Sequence, residues 1–271
     1  MSEQAKHARR FLELHHAERP LLLPNPRDRG SAKLLASLGF EALATTSSGA
    51  AATLGKLDGT LTREQTLANA AAIVEAAGVP VSADLENGFA TDAAGVRETI
   101  KLALEAGLAG CSIEDYSGDE HVPIYELAHA SERVAAAAEA AHGSDGRLVL
   151  TARAENHIHG RDDLDDTIAR LLAYEAAGAD VLYAPGLIDL QQIRCLVEAV
   201  GLPVNVLARP GCPSVAELAS VGVRRVSVGG AFAFAALGAV VEAARELRED
   251  GTYDFWERAA VGGKAAREAF A

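Results

Sequence analysis

The chain has 271 residues, enough for one α/β barrel with a large core, and 49% of them are hydrophobic but only 5% aromatic. Its formal net charge is −13, with the acidic residues spread along the chain, which argues against a nucleic acid or an anionic membrane as the main partner. Three cysteines without a Cys-x-x-Cys pair fit a reducing cytosol better than a disulfide framework or a zinc site, so we expect a cytoplasmic protein.

The first 23 residues mix charged residues and histidines with apolar residues at helical spacing. They lack the continuous apolar stretch of a signal peptide. No segment reaches the roughly 20 consecutive apolar residues that are needed to span a bilayer. From these features we expect a soluble protein.

Short apolar runs recur along the chain, each followed by a polar loop and by a longer stretch with 3.6-residue periodicity. Eight runs are strand candidates: Leu21–Asn25, Ala42–Ser47, Pro80–Glu86, Cys111–Asp115, Leu148–Glu155, Asp180–Pro185, Pro203–Ala208 and Arg225–Gly229. Eight alternating strand and helix units predict one α/β domain over residues 1–271, a (β/α)8 TIM-type barrel. A doubly wound open sheet is the main rival, but no Gly-x-Gly-x-x-Gly follows the first strand.

Helix ends are marked by residues with a clear physical role. Gly78, Gly107 and Gly178 each stand just before a strand, where glycine supplies the left-handed conformation that ends a helix. The helix before the third strand begins with a capping-box pattern, Thr62 followed by Gln65. After the eighth strand a helix is predicted over residues 231–248. Residues 252–271 form an extra helical segment that the barrel does not need, and this segment is a candidate for packing on a neighbouring subunit.

Charged residues follow the third, fourth and fifth strands, at the barrel end where functional residues lie. The third strand ends in Asp84-Leu-Glu86, and a two-residue period places both carboxylates on the same side. Glu114 and Arg153 join the same rim. Clustered carboxylates repel one another unless a cation compensates, and their oxygens favour a hard ion, so this pattern predicts Mg²⁺. The competing interpretation is an ordinary ion-pair network in which Arg153 neutralises Glu114.

Polar residues elsewhere at this end are candidates for substrate binding. Ser47, Ser48 and Gly49 after the second strand offer hydroxyl and backbone N–H groups to a carboxylate or phosphate, although such clusters also form plain turns. Asp58 is either an outer ligand of the metal or a solvated turn residue. Asn205 lies in an otherwise apolar strand, so either a substrate oxygen or a barrel neighbour must hydrogen-bond to it.

Histidines and cysteines near the rim give weaker signals. His121, His157 and His159 lie in loops without further ligands at zinc spacing, so we do not predict zinc. Cys212 follows the seventh strand, but no histidine base is adjacent to activate its thiol. We expect this cysteine to take no part in catalysis.

Together these features resemble the isocitrate lyase/phosphoenolpyruvate mutase superfamily, in its small single-barrel branch, over nearly the whole chain. The matching segments are Leu-Leu-Leu-Pro-Asn-Pro at 21–26, Thr-Thr-Ser-Ser-Gly at 45–49, Leu-Gly-Lys-Leu-Asp-Gly at 54–59, Ser-Ala-Asp-Leu-Glu-Asn-Gly at 82–88, Ser-Ile-Glu-Asp at 112–115, Thr-Ala-Arg-Ala-Glu at 151–155 and Pro-Val-Asn-Val at 203–206. Each segment is unspecific alone, and the set is specific.

The resemblance implies a Mg²⁺ site, with Mn²⁺ as a substitute, and a pyruvate enolate stabilised by the metal when a C–C or P–C bond breaks or forms. The metal residues it implies are Asp84, in direct or water-mediated contact, and Asp58, Glu86 and Glu114, which hold the water shell. The substrate residues would be Ser47, Ser48, Gly49, Arg153 and Asn205. It also implies a homo-oligomer, a tetramer or dimer, in which the C-terminal helices exchange between barrels.

One loop departs from the family pattern. The C–C lyases carry Lys-Arg-Cys-Gly-His after the Glu-Asp of the fourth strand, where this chain reads Tyr-Ser-Gly-Asp-Glu-His-Val-Pro-Ile-Tyr at 116–125. The Lys and Asn of the phosphonopyruvate enzymes are missing there too, and Glu86 stands where aspartate is usual. We therefore expect His121, or Tyr116, to act as general acid or base on a closing loop, with Arg153 and Asp58 as the other catalytic residues.

The predicted function is a Mg²⁺-dependent lyase that cleaves a C–C bond in a small 2-oxo or 2-hydroxy carboxylate. A phosphonopyruvate or phosphoenolpyruvate-type mutase or hydrolase, and an oxaloacetate hydrolase or decarboxylase, stay open because they would use the same metal ligands. A non-catalytic 2-oxo acid binding protein also stays open, since the loop lacks Cys and Lys. One-carbon transfer, as in ketopantoate hydroxymethyltransferase, would need a folate pocket that the sequence does not reveal.

Overall fold

The computed structural model describes residues 2–143 and 147–271 and contains one eight-stranded parallel barrel. Its strands are β1 (Leu21–Leu23), β2 (Leu43–Ala44), β3 (Val81–Asp84), β4 (Gly110–Glu114), β5 (Val149–Arg153), β6 (Val181–Tyr183), β7 (Val204–Leu207) and β8 (Arg225–Ser227). Neighbours pair in the order β1-β8-β7-β6-β5-β4-β3-β2. The Ala44 N–H donates to the Pro24 carbonyl at 3.1 Å, which brings β2 beside the end of β1. The predicted barrel and its eight strands are confirmed; seven strands are shorter than predicted, and β4 has the predicted length but begins one residue earlier.

Helices alternate with the strands around the barrel. They are α1 (Glu3–His15), α2 (Arg29–Ser37), α3 (Ser47–Thr53), α4 (Arg63–Ala77), α5 (Ala93–Glu105), α6 (Leu127–Ala141), α7 (Leu164–Ala176), α8 (Leu190–Ala199), α9 (Val215–Ser220), α10 (Ala231–Glu249) and α11 (Phe255–Phe270). The capping box before α4 is confirmed, because Thr62 Oγ1 accepts from the Gln65 N–H at 3.3 Å and Gln65 Oε1 accepts from the Thr62 N–H at 3.2 Å. Gly78, with φ of 65°, ends that helix as predicted.

The main core lies between the sheet and the ring of helices. Ile73, Ile100, Ile113 and Leu150 are at most 1% exposed and belong to one continuous cluster. Each such side chain contributes about 1.5–3 kcal/mol through removal from water. Side chains of the opposite strand face point into the barrel, and many of these are polar.

Helix α1 covers the N-terminal end of the barrel. Phe11 and Leu14 form a cluster with Leu21 and Leu23 of β1 and with the first residues of β5 and β6, and His15 is fully buried there. Gly110 makes this packing feasible, because a Cβ at that position would lie 2.7 Å from a ring carbon of Phe11. Because the described residues cover this end, the C-terminal ends of the strands are the side from which a small molecule can reach the barrel interior.

The two C-terminal helices carry exposed apolar residues. The exposed side chains on α10 and α11 include Phe232, Phe234, Leu237, Val240, Val241, Leu247, Trp256, Val261 and Phe270. Helix α11 packs on α2 of the same chain, but most of its apolar surface stays uncovered. Across residues 2–143 and 147–271, no helix is both long enough and apolar enough to cross a membrane.

Candidate active site

A cavity of about 200 Å³ opens at the C-terminal ends of the strands and extends down into the barrel. All eight strands contribute to its wall, through Leu23, Ala44, Ser82, Asp84, Ser112, Arg153, Tyr183, Asn205, Leu207, Arg225 and Ser227. Small side chains such as Ser82 and Ser112 leave the space that branched residues fill in other barrels. Of the predicted site residues, Ser47, Ser48, Asp58, Asp84, Arg153 and Asn205 line this cavity.

Arg153, the last residue of β5, is the centre of the charged rim. Its guanidinium forms three ion pairs, from Nη1 to Asp84 Oδ1 at 2.9 Å, from Nη2 to Glu114 Oε2 at 3.0 Å and from Nε to Glu155 Oε1 at 2.8 Å. Its Cζ also lies 5.3 Å from the centre of the Tyr183 ring. The ends of β3, β4, β5 and β6 therefore meet at one cation, as the barrel rule requires.

The carboxylates around Arg153 outnumber it and are largely buried. Burial raises the pKa of Glu114 well above its usual range, and Glu155, Asp84 and Glu86 add to the rise while Arg153 opposes it. Burial likewise raises the pKa of Glu155 to about 7. Burial opposes the charged form of Arg153, but its acidic neighbours raise its pKa well above the usual range. When these carboxylates are all ionised, one guanidinium leaves excess negative charge at the rim, and the raised pKa values of Glu114 and Glu155 reflect burial together with this repulsion.

Asp84 is held in place by backbone and side-chain groups from three segments. Its Oδ1 accepts from Arg153 and, at 3.3 Å, from the Glu86 N–H, and its Oδ2 accepts from the Ser47 N–H at 3.3 Å. Its own N–H donates to Thr45 Oγ1 at 3.0 Å. These contacts fix the carboxylate at the cavity wall, where it can face a bound ion.

Glu86 reaches the site in a way that the strand pattern did not predict. Strand β3 ends at Asp84, and Glu86 lies in a turn with φ of 49°, so the two-residue period that placed it beside Asp84 does not extend that far. Its carboxylate still lies close enough to be repelled by the charges of Asp84 and Asp58. Burial, and then this repulsion, raises the pKa of Glu86 to about 7. Its Oε1 is buried without a hydrogen-bond partner among the described residues.

These features fit a divalent cation. A buried carboxylate oxygen without a donor needs a compensating group, and a cluster of all-oxygen ligands matches Mg²⁺. In residues 2–143 and 147–271, no three acidic, histidine or cysteine side chains come together as a direct chelating set. That arrangement agrees with the preference of Mg²⁺ for keeping several waters and taking one or two carboxylates directly.

The segment after β2 begins a helix earlier than expected. Ser47, predicted as the end of the strand, is the first residue of α3, whose N-cap is Thr46. Ser47 and Ser48 line the cavity. Gly49 is not one of the described residues that line the cavity. A Cβ at this position would lie 2.5 Å from Thr46 Cγ2, so the local packing requires glycine. Its predicted contact with the substrate stays a prediction.

Asn205 and Asp58 occupy different parts of the cavity wall. Asn205 is 1% exposed and its amide donates to Ser227 Oγ at 3.0 Å while its Oδ1 accepts from Arg225 Nε at 2.9 Å. Barrel neighbours therefore satisfy it, which is one of the two outcomes that the sequence left open. Asp58 lies in the exposed loop after α3, with its Oδ1 accepting from the Gly59 N–H at 3.1 Å.

The loop of residues 116–125 places its candidate acids differently. Tyr116 is half-buried, forms a strand-like bridge with Ile124 and stacks on His159 with ring centres 4.1 Å apart. His121 is exposed, and neither it nor Tyr116 lines the cavity in the described part of the chain. A role for His121 would need the loop to move toward the rim, so it stays a prediction.

The sequence predicted no zinc site at the loop histidines and no catalytic role for Cys212. His157 Nδ1 lies 2.9 Å from Asp162 Oδ1 and its Nε2 lies 3.2 Å from Thr167 Oγ1, so it belongs to a local polar network. All three cysteines have free thiols. Burial raises the pKa of Cys212, which leaves its thiol protonated at neutral pH.

Several residues of the cavity wall were missed by sequence reasoning, among them Tyr183 and Arg225. Tyr183 supports the Arg153 guanidinium, and Arg225 is buried beside Asn205. A tyrosine or arginine inside a predicted barrel strand is a signal in itself, because polar side chains there must be satisfied by partners.

Comparisons with known proteins show which proteins this chain resembles. A family model described as phosphoenolpyruvate phosphomutase matches residues 11–248. A Burkholderia cenocepacia J2315 protein, provisionally described as a lyase/mutase, superposes with a TM-score of 0.96 at 52% identity, covering 99% of this chain and 98% of that one. The 2,3-dimethylmalate lyase of Eubacterium barkeri is 33% identical over 65% of this chain and 62% of its own length. A structure of oxaloacetate acetylhydrolase with its product oxalate has a TM-score of 0.82 at 25% identity, covering 92% of this chain and 88% of that one.

Proposed function

Because the chain belongs to the isocitrate lyase/phosphoenolpyruvate mutase superfamily, we propose that it is a Mg²⁺-dependent lyase that cleaves a C–C bond in a small 2-oxo or 2-hydroxy carboxylate. The observation that carries the proposal is the cluster around Arg153: one guanidinium pairs with three carboxylates at the mouth of a 200 Å³ cavity. Glu86 Oε1, which has no hydrogen-bond partner among the residues that the structure describes, lies nearby.

The metal would be held chiefly by Asp84, with Asp58, Glu86 and Glu114 binding its water shell; Mn²⁺ would serve in its place. When bound, Mg²⁺ would act as a Lewis acid that polarises the 2-oxo oxygen and neutralises charge there. Binding would also relieve the repulsion among the carboxylates, since the ion supplies the missing positive charge.

Substrate binding would use the groups that already face the cavity. The hydroxyls of Ser47 and Ser48 are donors, and so is the second N–H of the Asn205 amide, whose first N–H bonds to Ser227. Arg153 is a cation at every accessible pH. In a 2-oxo carboxylate, C–C cleavage leaves the electron pair on the carbon next to the oxo group, where it is delocalised as an enolate. In a 2-hydroxy carboxylate, loss of the hydroxyl proton forms the oxo group as the bond breaks, and the electron pair leaves with the departing carbon. The fixed charge of Arg153 would stabilise this developing anion without reorganisation.

A proton donor for the leaving carbon would come from the loop of residues 116–125. Tyr116 and His121 are the candidates, and Tyr116 is already anchored by its stack on His159. If His121 is the acid, His121→Ala should lower turnover by about 10²-fold or more with metal affinity unchanged. The same result for Tyr116→Phe, with His121→Ala active, would assign the role to the tyrosine. Full activity in both variants would remove the loop from the mechanism.

The site itself is tested by calorimetry with oxalate, which mimics a pyruvate enolate, with and without Mg²⁺. We expect binding that requires the metal and is lost in Asp84→Asn. Asp250→Asn at the end of α10 is the matched control, because Asp250 is exposed and remote from the cavity. Oxalate binding that ignores both Mg²⁺ and Asp84 would reduce the cluster to an ion-pair network.

The sequence of the loop of residues 116–125 supports an alternative reaction. The loop lacks the Cys and Lys of the C–C lyases, which favours decarboxylation of oxaloacetate, because its enolate product can take a proton from solvent. Hydrolysis of oxaloacetate is the other alternative, and it would need water as the nucleophile and a proton donor for the released acetate carbon. A product assay separates the cases, because decarboxylation yields pyruvate and CO₂ and hydrolysis yields oxalate and acetate.

The exposed apolar face of α10 and α11 supports a homo-oligomer with exchange of the C-terminal helices. Phe234 and Val240 are 52% and 64% exposed and lie on helices with several other exposed apolar residues. Large exposed apolar patches are uncommon on monomeric soluble proteins. Light scattering should show a tetramer or dimer for the native chain. Val240→Glu should shift it toward monomer, whereas Glu198→Gln on α8 should not; a monomeric native chain would contradict the proposal.

A further inference from the structure

The lower part of the cavity contains an arginine whose partners are all hydrogen-bonding groups rather than carboxylates. Arg225 on β8 is 4% exposed and lines the cavity below the rim. Its Nε donates to Asn205 Oδ1 at 2.9 Å, and its Nη1 lies 3.0 Å from Thr151 Oγ1 and 3.2 Å from His15 Nε2. No hydrogen bond from its Nη2 is present within residues 2–143 and 147–271.

His15 is a neutral partner. Its Nδ1 lies 2.7 Å from the Phe11 carbonyl oxygen, which can only accept, so this nitrogen carries the proton and Nε2 accepts from Arg225. Burial and the nearby Arg225 charge lower the pKa of His15 to about 3. The imidazole is therefore uncharged at physiological pH and adds no positive charge to the floor.

Arg225 thus differs from the other buried arginines that bear on the site. Arg153 has three carboxylate partners, and Arg170 pairs with Asp115 and Asp166. Within the described residues, no carboxylate lies within 4 Å of the Arg225 guanidinium. A buried charge without a counter-ion is destabilising, and a bound anion would remove that penalty.

The position of Arg225 relative to the rim follows from β5. Thr151, which contacts Arg225, precedes Arg153 by two residues, so their Cα atoms are about 7 Å apart along the strand and their side chains share a face. Both arginines line the same cavity. The cavity therefore has a rim with excess negative charge and a floor with a positive one.

We propose that Arg225, with the Asn205 amide and the Ser227 hydroxyl beside it, binds the distal carboxylate of a short dicarboxylate substrate. The proposal rests on the proposed function, because the reacting end of the substrate is assigned to the rim. It makes Arg225 a specificity residue that selects substrates with a second acid group over those that end in a methyl group.

The test compares two ligands that differ only at the distal end, malate and 2-hydroxybutanoate, by calorimetry with Mg²⁺ present. A charge-assisted hydrogen bond predicts that malate binds about 10- to 100-fold more tightly. Arg225→Gln should remove this preference. Arg224→Gln, the same change at the preceding, exposed arginine, should keep it.

Oxalate binding in the presence of Mg²⁺, measured by calorimetry on the same proteins, tests the rim alone, because oxalate is too short to reach Arg225. Its affinity should be equal for the native chain and for Arg225→Gln. Oxalate binding without a malate preference in the native chain, or a preference that survives Arg225→Gln, would overturn the floor site and leave the proposed function standing. A malate preference that depends on Arg225 without any oxalate binding would support the floor site and contradict the proposed function.

A second measurement does not depend on the folding of the variant. In crystals of the native chain soaked with malate and Mg²⁺, one malate carboxylate should lie within hydrogen-bond distance of Arg225 Nη2. Malate bound with both carboxylates at the rim would overturn the proposal.

Discussion

Replacing Glu86 with Gln tests whether this carboxylate is kept in the site for a cation. In the metal-free protein the pKa of Glu86 is raised from 4.5 to about 7, chiefly by burial and then by Asp84 and Asp58. The folded protein therefore binds the Glu86 proton more tightly than the unfolded chain does. Its free energy of unfolding must fall as the pH rises from about 4.5 to 7, because deprotonation in that window is harder in the folded state.

The size of the effect follows from the shift. One pKa unit corresponds to 1.36 kcal/mol, so a group raised from 4.5 to about 7 would destabilise the folded state at pH 8 by about 3 kcal/mol at most. Glu86 is only half-buried, and solvent screening reduces this to about 1–2 kcal/mol. Glutamine has the same shape and does not ionise. Glu86→Gln should therefore be as stable as the native chain near pH 4.5 and about 1–2 kcal/mol more stable at pH 8.

The assay is urea unfolding in EDTA at several pH values, with Glu198→Gln as the control for loss of an exposed carboxylate. Saturating Mg²⁺ at pH 8 should stabilise the native chain, by about 2.7 kcal/mol at 100 times the dissociation constant, and should stabilise Glu86→Gln less. A stability difference that does not change with pH, or a Mg²⁺ effect of equal size in both proteins, would refute the assignment of Glu86 to the metal site.

Three further substitutions test other contacts. Arg153→Met leaves its carboxylate partners without their cation, so we expect a loss of about 3–5 kcal/mol at pH 8 and no oxalate binding by calorimetry; native-like stability would contradict the ion-pair geometry. Gly49→Ala forces a Cβ to within 2.5 Å of a neighbouring side chain and should destabilise the protein by about 1–3 kcal/mol in urea, whereas Gly238→Ala, where no atom lies within 4 Å, should not. Tyr174→Phe removes the 2.6 Å hydrogen bond to Asp115 and should lower thermal stability by about 1–3 kcal/mol, and an unchanged melting temperature would show that the bond is dispensable.

The fold was predictable because each of its signals is local. Strand, helix and cap patterns such as Thr62 with Gln65 arise within a few residues and survived into the structure. The pairing of Arg153 with Glu114 was also foreseeable, since parallel strands bring their ends to one rim. The left-handed backbone of Glu86 was not, because the Asn-Gly pair at 87–88 indicates a turn nearby without marking the residue at which the strand stops.

The floor of the cavity was beyond sequence reasoning for a different reason. Arg225 and His15 are 210 positions apart in the sequence. They come into contact because α1 covers the N-terminal end of the barrel, where β8 begins. No periodicity links them, and an arginine at the start of a strand resembles a solvated end. The clue that was available is composition: a barrel strand with an arginine must satisfy it inside or at the rim.

Together the two ends of the cavity restrict how a ligand can lie in it. In the described part of the chain, the rim has three carboxylates for the one guanidinium of Arg153, and no carboxylate lies within 4 Å of the Arg225 guanidinium at the floor. A metal ion alone satisfies only the rim, and a carboxylate alone satisfies only the floor. A dicarboxylate bound with Mg²⁺ satisfies both, and only in the orientation that places the metal-bound end among the rim carboxylates. The ion neutralises rim carboxylates that would otherwise repel the dicarboxylate, so each ligand makes binding of the other more favourable. By thermodynamic linkage, the two must increase each other's affinity by the same factor.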